Sequence, residues 1–260
     1  MGSFEALLLG LVQGLTEFLP VSSSGHLVIL QTWLGIHEEG MLFEIVLHVA
    51  TLVSVLIFYR RRVGELILGA LRGRPEAWRY VGKLGLGTLP AVLAVLLVGD
   101  FLEAQFESAG AAGVGLLLTG AILITTRRTL ETAKLPEPSW AAAWWIGCAQ
   151  AVAIFPGVSR SGSTVAAALA LGVTPAAAAE FSFLMGTIAI AGAAVRSLPE
   201  LAAVPVDLGG ALFLGGVAAL ISGIAAIWLF IRLLASHGFY RFAYYTWALG
   251  LLTLAILYLG

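Results

Sequence analysis

Charge is what this sequence is short of. Only 11% of its 260 residues are Asp, Glu, Lys or Arg, 60% are hydrophobic, and mean hydropathy is +0.98. A soluble domain carries about 25% charged residues, so a chain this poor in charge cannot clothe a water-facing surface, and much of it must face lipid. The few charges nearly cancel, at a net −1, which excludes an overall basic attraction to nucleic acid. Cysteine is almost missing as well. Cys148 stands alone, so no internal disulfide can form and the sequence encodes no redox compartment. The N-terminal stretch MGSFEALLLG has no basic segment of the kind that opens a cleaved signal peptide, and it is expected to stay in the mature protein.

In place of charge there are long apolar runs. A hydrocarbon core about 30 Å thick needs roughly 20 apolar residues per helix. Six stretches qualify, near 41–59, 80–99, 110–127, 175–195, 208–231 and 241–259. Two further apolar regions, about 4–34 and 141–172, are each interrupted by Pro, Gly and Ser. Irregular backbone at membrane depth must be buried in protein or line a wet cavity. Both regions therefore read as hairpins of two short helices that enter and leave on one side. Arg60, Arg61, Arg62, Arg72, Arg74 and Arg79 put the loop 60–79 in the cytoplasm by the positive-inside rule. Asp100, Glu103 and Glu107 put the next loop outside, and Arg127, Arg128 and Lys134 the next inside. Arg196, Glu200 and Asp207 read as outside, and Arg232 and Arg241 as the last inside loop. The alternation works only if the two interrupted regions do not cross, which leaves both termini outside.

The two interrupted regions match each other. At an offset of 137 residues, Gly10, Gln13, Phe18, Val21, Ser22, Ser24, Gly25, Val28, Leu34 and Gly35 fall on identical residues, without a gap. Apolar composition alone would not place Gln, Ser, Ser and Gly in register. The expected architecture is an all-α polytopic membrane protein, a single membrane domain over 1–260. It comprises two inverted-topology repeats, 1–137 and 138–260, each a re-entrant helical hairpin plus three transmembrane helices. Three spans are an odd number, so the second repeat is inserted upside down and the hairpins can meet near the midplane. Many transporters build an intramembrane site this way.

Two motifs carry the chemistry. In the first, Gln13 and Glu17 are spaced i, i+4 and so share a helix face, followed by the segment PVSSSGH at 20–26. An ionisable residue in such apolar surroundings is a functional candidate; the structural alternative is a carboxylate that caps the other hairpin. Glu17, Ser23 and His26 lie within ten residues of one another, a set suited to nucleophilic or acid–base chemistry on an ester or anhydride. The second motif is PGVSRSGST at 156–164. Arg160 offers a planar, permanently charged fork for phosphate oxygens, and the start of the following helix adds backbone N–H groups. Its structural alternative is an ion pair with Glu17 that persists until substrate arrives. Glu44, His48 and Glu180 lie in or near spans and either line the cavity or bridge helices. Glu44 and Glu180 nearly correspond in the repeat, which favours a bridging role. Trp144, Trp145, Tyr244 and Tyr245 suit anchors at the bilayer interface.

With these residues in place, the chain closely resembles the undecaprenyl-diphosphate phosphatases, the family tied to bacitracin resistance. The family pattern P-G-x-S-R-S-x-x-T is met by Pro156, Gly157, Ser159, Arg160, Ser161 and Thr164, and length and span pattern agree throughout. The resemblance implies hydrolysis of a polyprenyl diphosphate lipid to the monophosphate carrier used in cell-wall (peptidoglycan) synthesis. It implies a multi-pass protein of the bacterial inner membrane, a site open to the extracytoplasmic side, and dependence on a divalent cation (Mg2+ or Ca2+). It implies Glu17 and Gln13 as metal-binding or acid–base groups, and Ser23 or His26 as the nucleophile or proton carrier. Arg160 would act with Ser159, Ser161 and Thr164 as the diphosphate clamp, with Ser22 and Ser24 beside the substrate. Many relatives carry Glu where this chain has Gln13, and a neutral amide cannot act as a base, so weight moves to Glu17. The resemblance leaves room for a homodimer. The rival from another class is a transporter or scramblase of a phosphorylated polyprenyl lipid, which needs an anion clamp and neither nucleophile nor base.

Overall fold

In a hydrocarbon core without water, each backbone group has to find its partner within its own segment, and this chain answers with helices. The computed structural model describes residues 2–34, 40–129, 133–196, 209–236 and 238–259. Two short helices, α1 (Ser3–Phe18) and α2 (Ser23–Leu34), come first, then α3 (Gly40–Phe58), α4 (Arg60–Leu71), α5 (Pro75–Gln105) and α6 (Ala109–Thr129). A second short pair follows, α7 (Trp140–Val152) and α8 (Arg160–Ala170), then α9 (Pro175–Arg196), α10 (Gly209–Ala235), a 3₁₀ turn at Phe239–Arg241 and α11 (Phe242–Leu259). Gly35, Glu200, Asp207 and the side chain of Glu44 lie outside the described residues.

Five helical segments are long and apolar enough to cross a membrane: α5, α6, α9, α10 and 239–259, while 45–58 within α3 adds a shorter apolar stretch. All six expected spans thus fall on helices, and the chain is a multi-pass membrane protein. Both interrupted regions are broken helix pairs, as the Pro–Gly–Ser clusters predict. Two boundaries differ from expectation. The span expected at 80–99 belongs to a helix of 31 residues whose dihedrals leave the helical range at Val98 (φ −136°, ψ 23°). The loop expected at 60–79 contains α4. Its Ile67, Leu68 and Leu71 are exposed, beside the basic run Arg60–Arg62. A basic helix with a bare apolar face lies naturally in the membrane interface; its arginines hide it from a hydropathy reading.

Small residues let the hairpins approach their neighbours closely. A Cβ on Gly10 would collide with the backbone carbonyl of Gly215 in α10, and one on Gly147 with the backbone carbonyl of Gly87 in α5. An edge-to-face ladder joins α1, α9, α10 and the 3₁₀ turn, with Phe18–Phe183 at 5.4 Å, Phe183–Phe230 at 5.0 Å and Phe230–Phe239 at 5.3 Å. Such pairs contribute about 0.5–1.5 kcal/mol each beyond burial. The ladder fixes Phe18, and with it the neighbouring Glu17.

Candidate active site at the hairpin tips

The two helix breaks touch. The Gly157 N–H donates to Ser24 Oγ at 3.4 Å, and Ser161 Oγ donates to the Leu19 carbonyl at 3.2 Å. Gly157 has φ +85°, and a Cβ there would lie 2.9 Å from the carbonyl carbon of Ala112. Both the backbone conformation and the space require glycine. Thr119 of α6 clips this break. Its hydroxyl donates to the Gly157 carbonyl (2.8 Å) and accepts from the Ser159 N–H (2.9 Å). Thr119→Val keeps the shape and orphans both groups, at about 1–3 kcal/mol each. The detergent melting midpoint should fall by roughly 5 °C or more, and Thr119→Ser should restore it. A midpoint unchanged in the valine variant would show that the clip does not hold the break.

Glu17, on the last turn of α1, is 6% exposed and gathers the polar residues. Its Oε1 accepts from Arg160 Nη2 at 2.7 Å. Its Oε2 accepts from Gln13 Nε2 at 3.0 Å and from Ser23 Oγ at 2.5 Å, and His48 Nε2 lies 3.8 Å away. A carboxylate so deeply buried is tolerable only with this full complement of partners. Ser22, with φ 68°, makes the turn that starts α2 at Ser23. That left-handed conformation costs a non-glycine residue about 1–2 kcal/mol. On the other side Arg160 opens α8, and Ser159 caps that helix by accepting from the Gly162 N–H at 3.1 Å. Arg160 Nη2 is engaged with Glu17, whereas its buried Nη1 has no partner among the described residues. One arm of the guanidinium is therefore committed to Glu17, while the other packs against Gly186 with no hydrogen-bond partner among the described residues.

These groups border a cavity of about 640 Å³, within the size range of small-molecule sites. Its polar end carries Glu17, Ser22, Ser23, Ser24, Ser159 and Arg160, with His48 and Gln150 also on the wall. The remaining wall is mostly apolar, from α5 (Ala91, Val92, Val95, Leu96) and α9 (Ile188, Ala189, Ile190, Gly192, Ala193), and the cavity reaches Phe106 and Arg196. The combination suits a ligand with an anionic head and a hydrocarbon body.

The residues expected from the sequence separate into three groups. Glu17, Ser22, Ser23, Ser24, Ser159 and Arg160 border the cavity, and Gln13 lies behind them, fully buried against Glu17. Ser161 and Thr164 are brought close but turned inward, Ser161 to the Leu19 carbonyl and Thr164 to the Arg160 carbonyl at 2.7 Å and to Ser182. They brace the turn around Arg160. His26 is not brought to this cluster. Its Nδ1 meets the Ser22 carbonyl at 2.8 Å, its Nε2 meets the Tyr245 hydroxyl at 2.7 Å, and its ring stacks on Tyr245 at 5.7 Å. A carbonyl only accepts, so Nδ1 carries the proton and Nε2 accepts from the tyrosine. The imidazole beside Glu17 is instead His48, from α3. Its intramembrane position was the one signal for it, because no nearby motif marks it. Glu180 serves a different network, paired with Arg62 at 2.9 Å and accepting from Tyr80 at 3.0 Å.

For a divalent cation, the donors at hand are hard oxygens: the Glu17 carboxylate, the serine hydroxyls and Gln13 Oε1, which is buried and has no partner among the described residues. No group of three or more His, Cys, Asp or Glu side chains converges among the described residues. A single carboxylate with neutral oxygens fits the mode in which a hard cation is held largely by substrate phosphates.

Comparison with known proteins agrees with this architecture. Residues 6–252 match the family described as bacitracin resistance protein BacA. The undecaprenyl-diphosphatase of Carboxydothermus hydrogenoformans is 40% identical over 265 residues, covering 98% of each chain. That of Elusimicrobium minutum is 40% identical and covers 97% of each chain, and that of Desulfosudis oleivorans is 39% identical over 98% of this chain and 99% of its own. With a match of this extent and relatives of this identity along their full lengths, the chain belongs to the BacA bacitracin-resistance family.

Proposed function

We propose that this chain hydrolyses undecaprenyl diphosphate to undecaprenyl phosphate and inorganic phosphate, and so recycles the lipid carrier of peptidoglycan synthesis in the bacterial inner membrane. The observation that carries this is the Ser23–Glu17–Arg160 constellation in a cavity whose other walls are mostly apolar. A hydroxyl donates to a carboxylate, and that carboxylate is paired with a guanidinium whose second arm has no partner among the described residues. A transporter of anionic lipids would need the guanidinium and not the hydroxyl–carboxylate pair.

The lipid has a way in. Val92, Leu96 and Ile188 border the cavity and are also 46%, 75% and 41% exposed, so it is continuous with the lipid-facing surface between α5 and α9. The prenyl chain can stay in the bilayer while the diphosphate reaches the hairpin tips. The far end at Phe106 and Arg196 adjoins the loops whose charges read as outside, which supports an extracytoplasmic opening. The site residues all lie on one chain, so a homodimer would hold two separate sites.

In this reading Arg160 takes the phosphoryl oxygens with Nη1 and then shifts Nη2 from Glu17 onto the substrate. Ser23 Oγ attacks the terminal phosphorus as its proton passes to Glu17, and the bond to the bridging oxygen breaks, releasing undecaprenyl phosphate. Once Glu17 has passed that proton to the departing undecaprenyl phosphate, water attacks the phosphoserine, Glu17 takes the water's proton and returns it to Ser23 Oγ as the serine leaves, giving inorganic phosphate. Placed donors facing developing charge supply most of the acceleration in such transfers. A divalent cation at Glu17 and Gln13 would add neutralisation of the diphosphate charge when bound.

Purified protein in detergent should release phosphate from undecaprenyl diphosphate, lose that activity with EDTA and regain it with Mg2+ or Ca2+. Well-folded protein that releases none with cation present would sink the phosphatase in favour of the transporter.

A further inference from the structure

Gln150 sits on α7, two residues before its last residue, Val152. It corresponds to Gln13 at the 137-residue offset, yet its surroundings differ. Gln13 donates its amide to Glu17, four residues further on. The residue four after Gln150 is Ile154, so the second hairpin offers its glutamine no carboxylate. Gln150 is 2% exposed and borders the cavity, and neither its Nε2 nor its Oε1 has a partner among the described residues. Its helix is firmly seated, with Gly147 against the backbone of Gly87, so the amide is held in place.

A buried amide that satisfies neither its donor nor its acceptor is unfavourable in the folded protein, and it persists where a ligand completes it. The wall that Gln150 shares also carries Arg160, whose Nη1 is likewise without a partner among the described residues. Both unmet donors belong to the second hairpin, while Glu17 and Ser23 belong to the first. We propose that Gln150 is a substrate-binding residue whose Nε2 donates to a non-bridging oxygen of the diphosphate, so that the second hairpin grips the head group while the first performs the transfer. This rests on the diphosphatase reading above.

Three variants test it, Gln150→Ala, Gln150→Leu and Gln150→Glu, each assayed with undecaprenyl diphosphate and cation. A hydrogen bond to a charged group corresponds to about a ten- to hundredfold change in binding. Gln150→Ala and Gln150→Leu should raise KM by about that factor and leave kcat within about threefold. Gln150→Glu sets a carboxylate against the diphosphate and should lose at least about tenfold more in kcat/KM. Melting separates binding from a structural role. Leucine removes an unpartnered amide, so Gln150→Leu should melt at or above the native temperature; an amide that held the fold through its hydrogen bonds would instead melt lower. The proposal is overturned if KM stays within twofold of native in all three variants, or if Gln150→Leu melts several degrees lower. Binding of inorganic diphosphate by calorimetry keeps the test independent of turnover. Native protein that hydrolyses no lipid fails the phosphatase reading, while weaker diphosphate binding by Gln150→Glu than by native protein still assigns Gln150 to the anion site. Equal binding by the two overturns that assignment.

Discussion

The double variant Glu17→Gln, Arg160→Leu should melt within a few degrees of the native protein and yet release phosphate at least about a thousandfold more slowly. The two charges lie 2.7 Å apart at the meeting point of the hairpins, and Glu17 is almost wholly out of reach of solvent. Removing one partner strands the other. Arg160→Leu alone leaves a buried carboxylate without its cation and should cost about 3–5 kcal/mol, whereas exchanging a whole buried pair for neutral groups of similar volume is often neutral or stabilising. In the double variant the new amide at position 17 can still accept from Ser23 and Gln13, so the first break keeps its local hydrogen bonds. What disappears is the fork that would hold the phosphoryl group and the carboxylate that would take the proton. Thermal unfolding in detergent and phosphate release on the same preparations check both halves. A stable double variant with activity within tenfold of native would show that the pair only holds the hairpins together.

The parts of the site that were legible in the sequence are those in which polarity conflicts with surroundings. Glu17 and Arg160 stand out because charge in apolar sequence needs a reason, and the i, i+4 spacing of Gln13 to Glu17 gives the observed hydrogen bond directly. The breaks stand out because Pro, Gly and Ser cannot continue a helix facing lipid. Other features depend on tertiary contacts that local sequence does not encode. His26, next to the serines, turns toward Tyr245 on α11, because Ser22 takes the left-handed conformation and offers its carbonyl to Nδ1. His48 reaches Glu17 from a separate helix, α3, that carries no motif. Ser161 and Thr164, which look like phosphate donors in a motif, are drawn inward by the Leu19 and Arg160 carbonyls. The helix α4 was hidden because its arginines outweigh its leucines in any average, although Leu66 packs inward while Ile67, Leu68 and Leu71 face out.

Ser23→Ala should lower kcat by about a thousandfold or more, since removing a nucleophile leaves only the contribution of binding and electrostatic stabilisation. The geometry favours this serine over its neighbours. Ser22 and Ser24 face each other at 3.2 Å, and Ser22 also accepts from the Gly25 N–H. Ser23 alone of the three donates to Glu17, the one carboxylate among the described residues of the cavity wall. If water attacked directly, with Glu17 as base, loss of the hydroxyl would remove one hydrogen bond to that base, and the effect would stay within about ten- to a hundredfold. Stereochemistry separates the routes without any substitution. Transfer to Ser23 and then to water inverts the phosphorus twice and gives net retention; direct attack by water inverts it once. Turnover of a substrate made chiral at the terminal phosphorus with isotopic oxygen and sulfur, followed by configurational analysis of the released thiophosphate, should therefore show retention. Inversion, together with a modest loss in Ser23→Ala, would reassign Ser23 from nucleophile to a group that orients Glu17, and would leave Glu17 as the base that activates water.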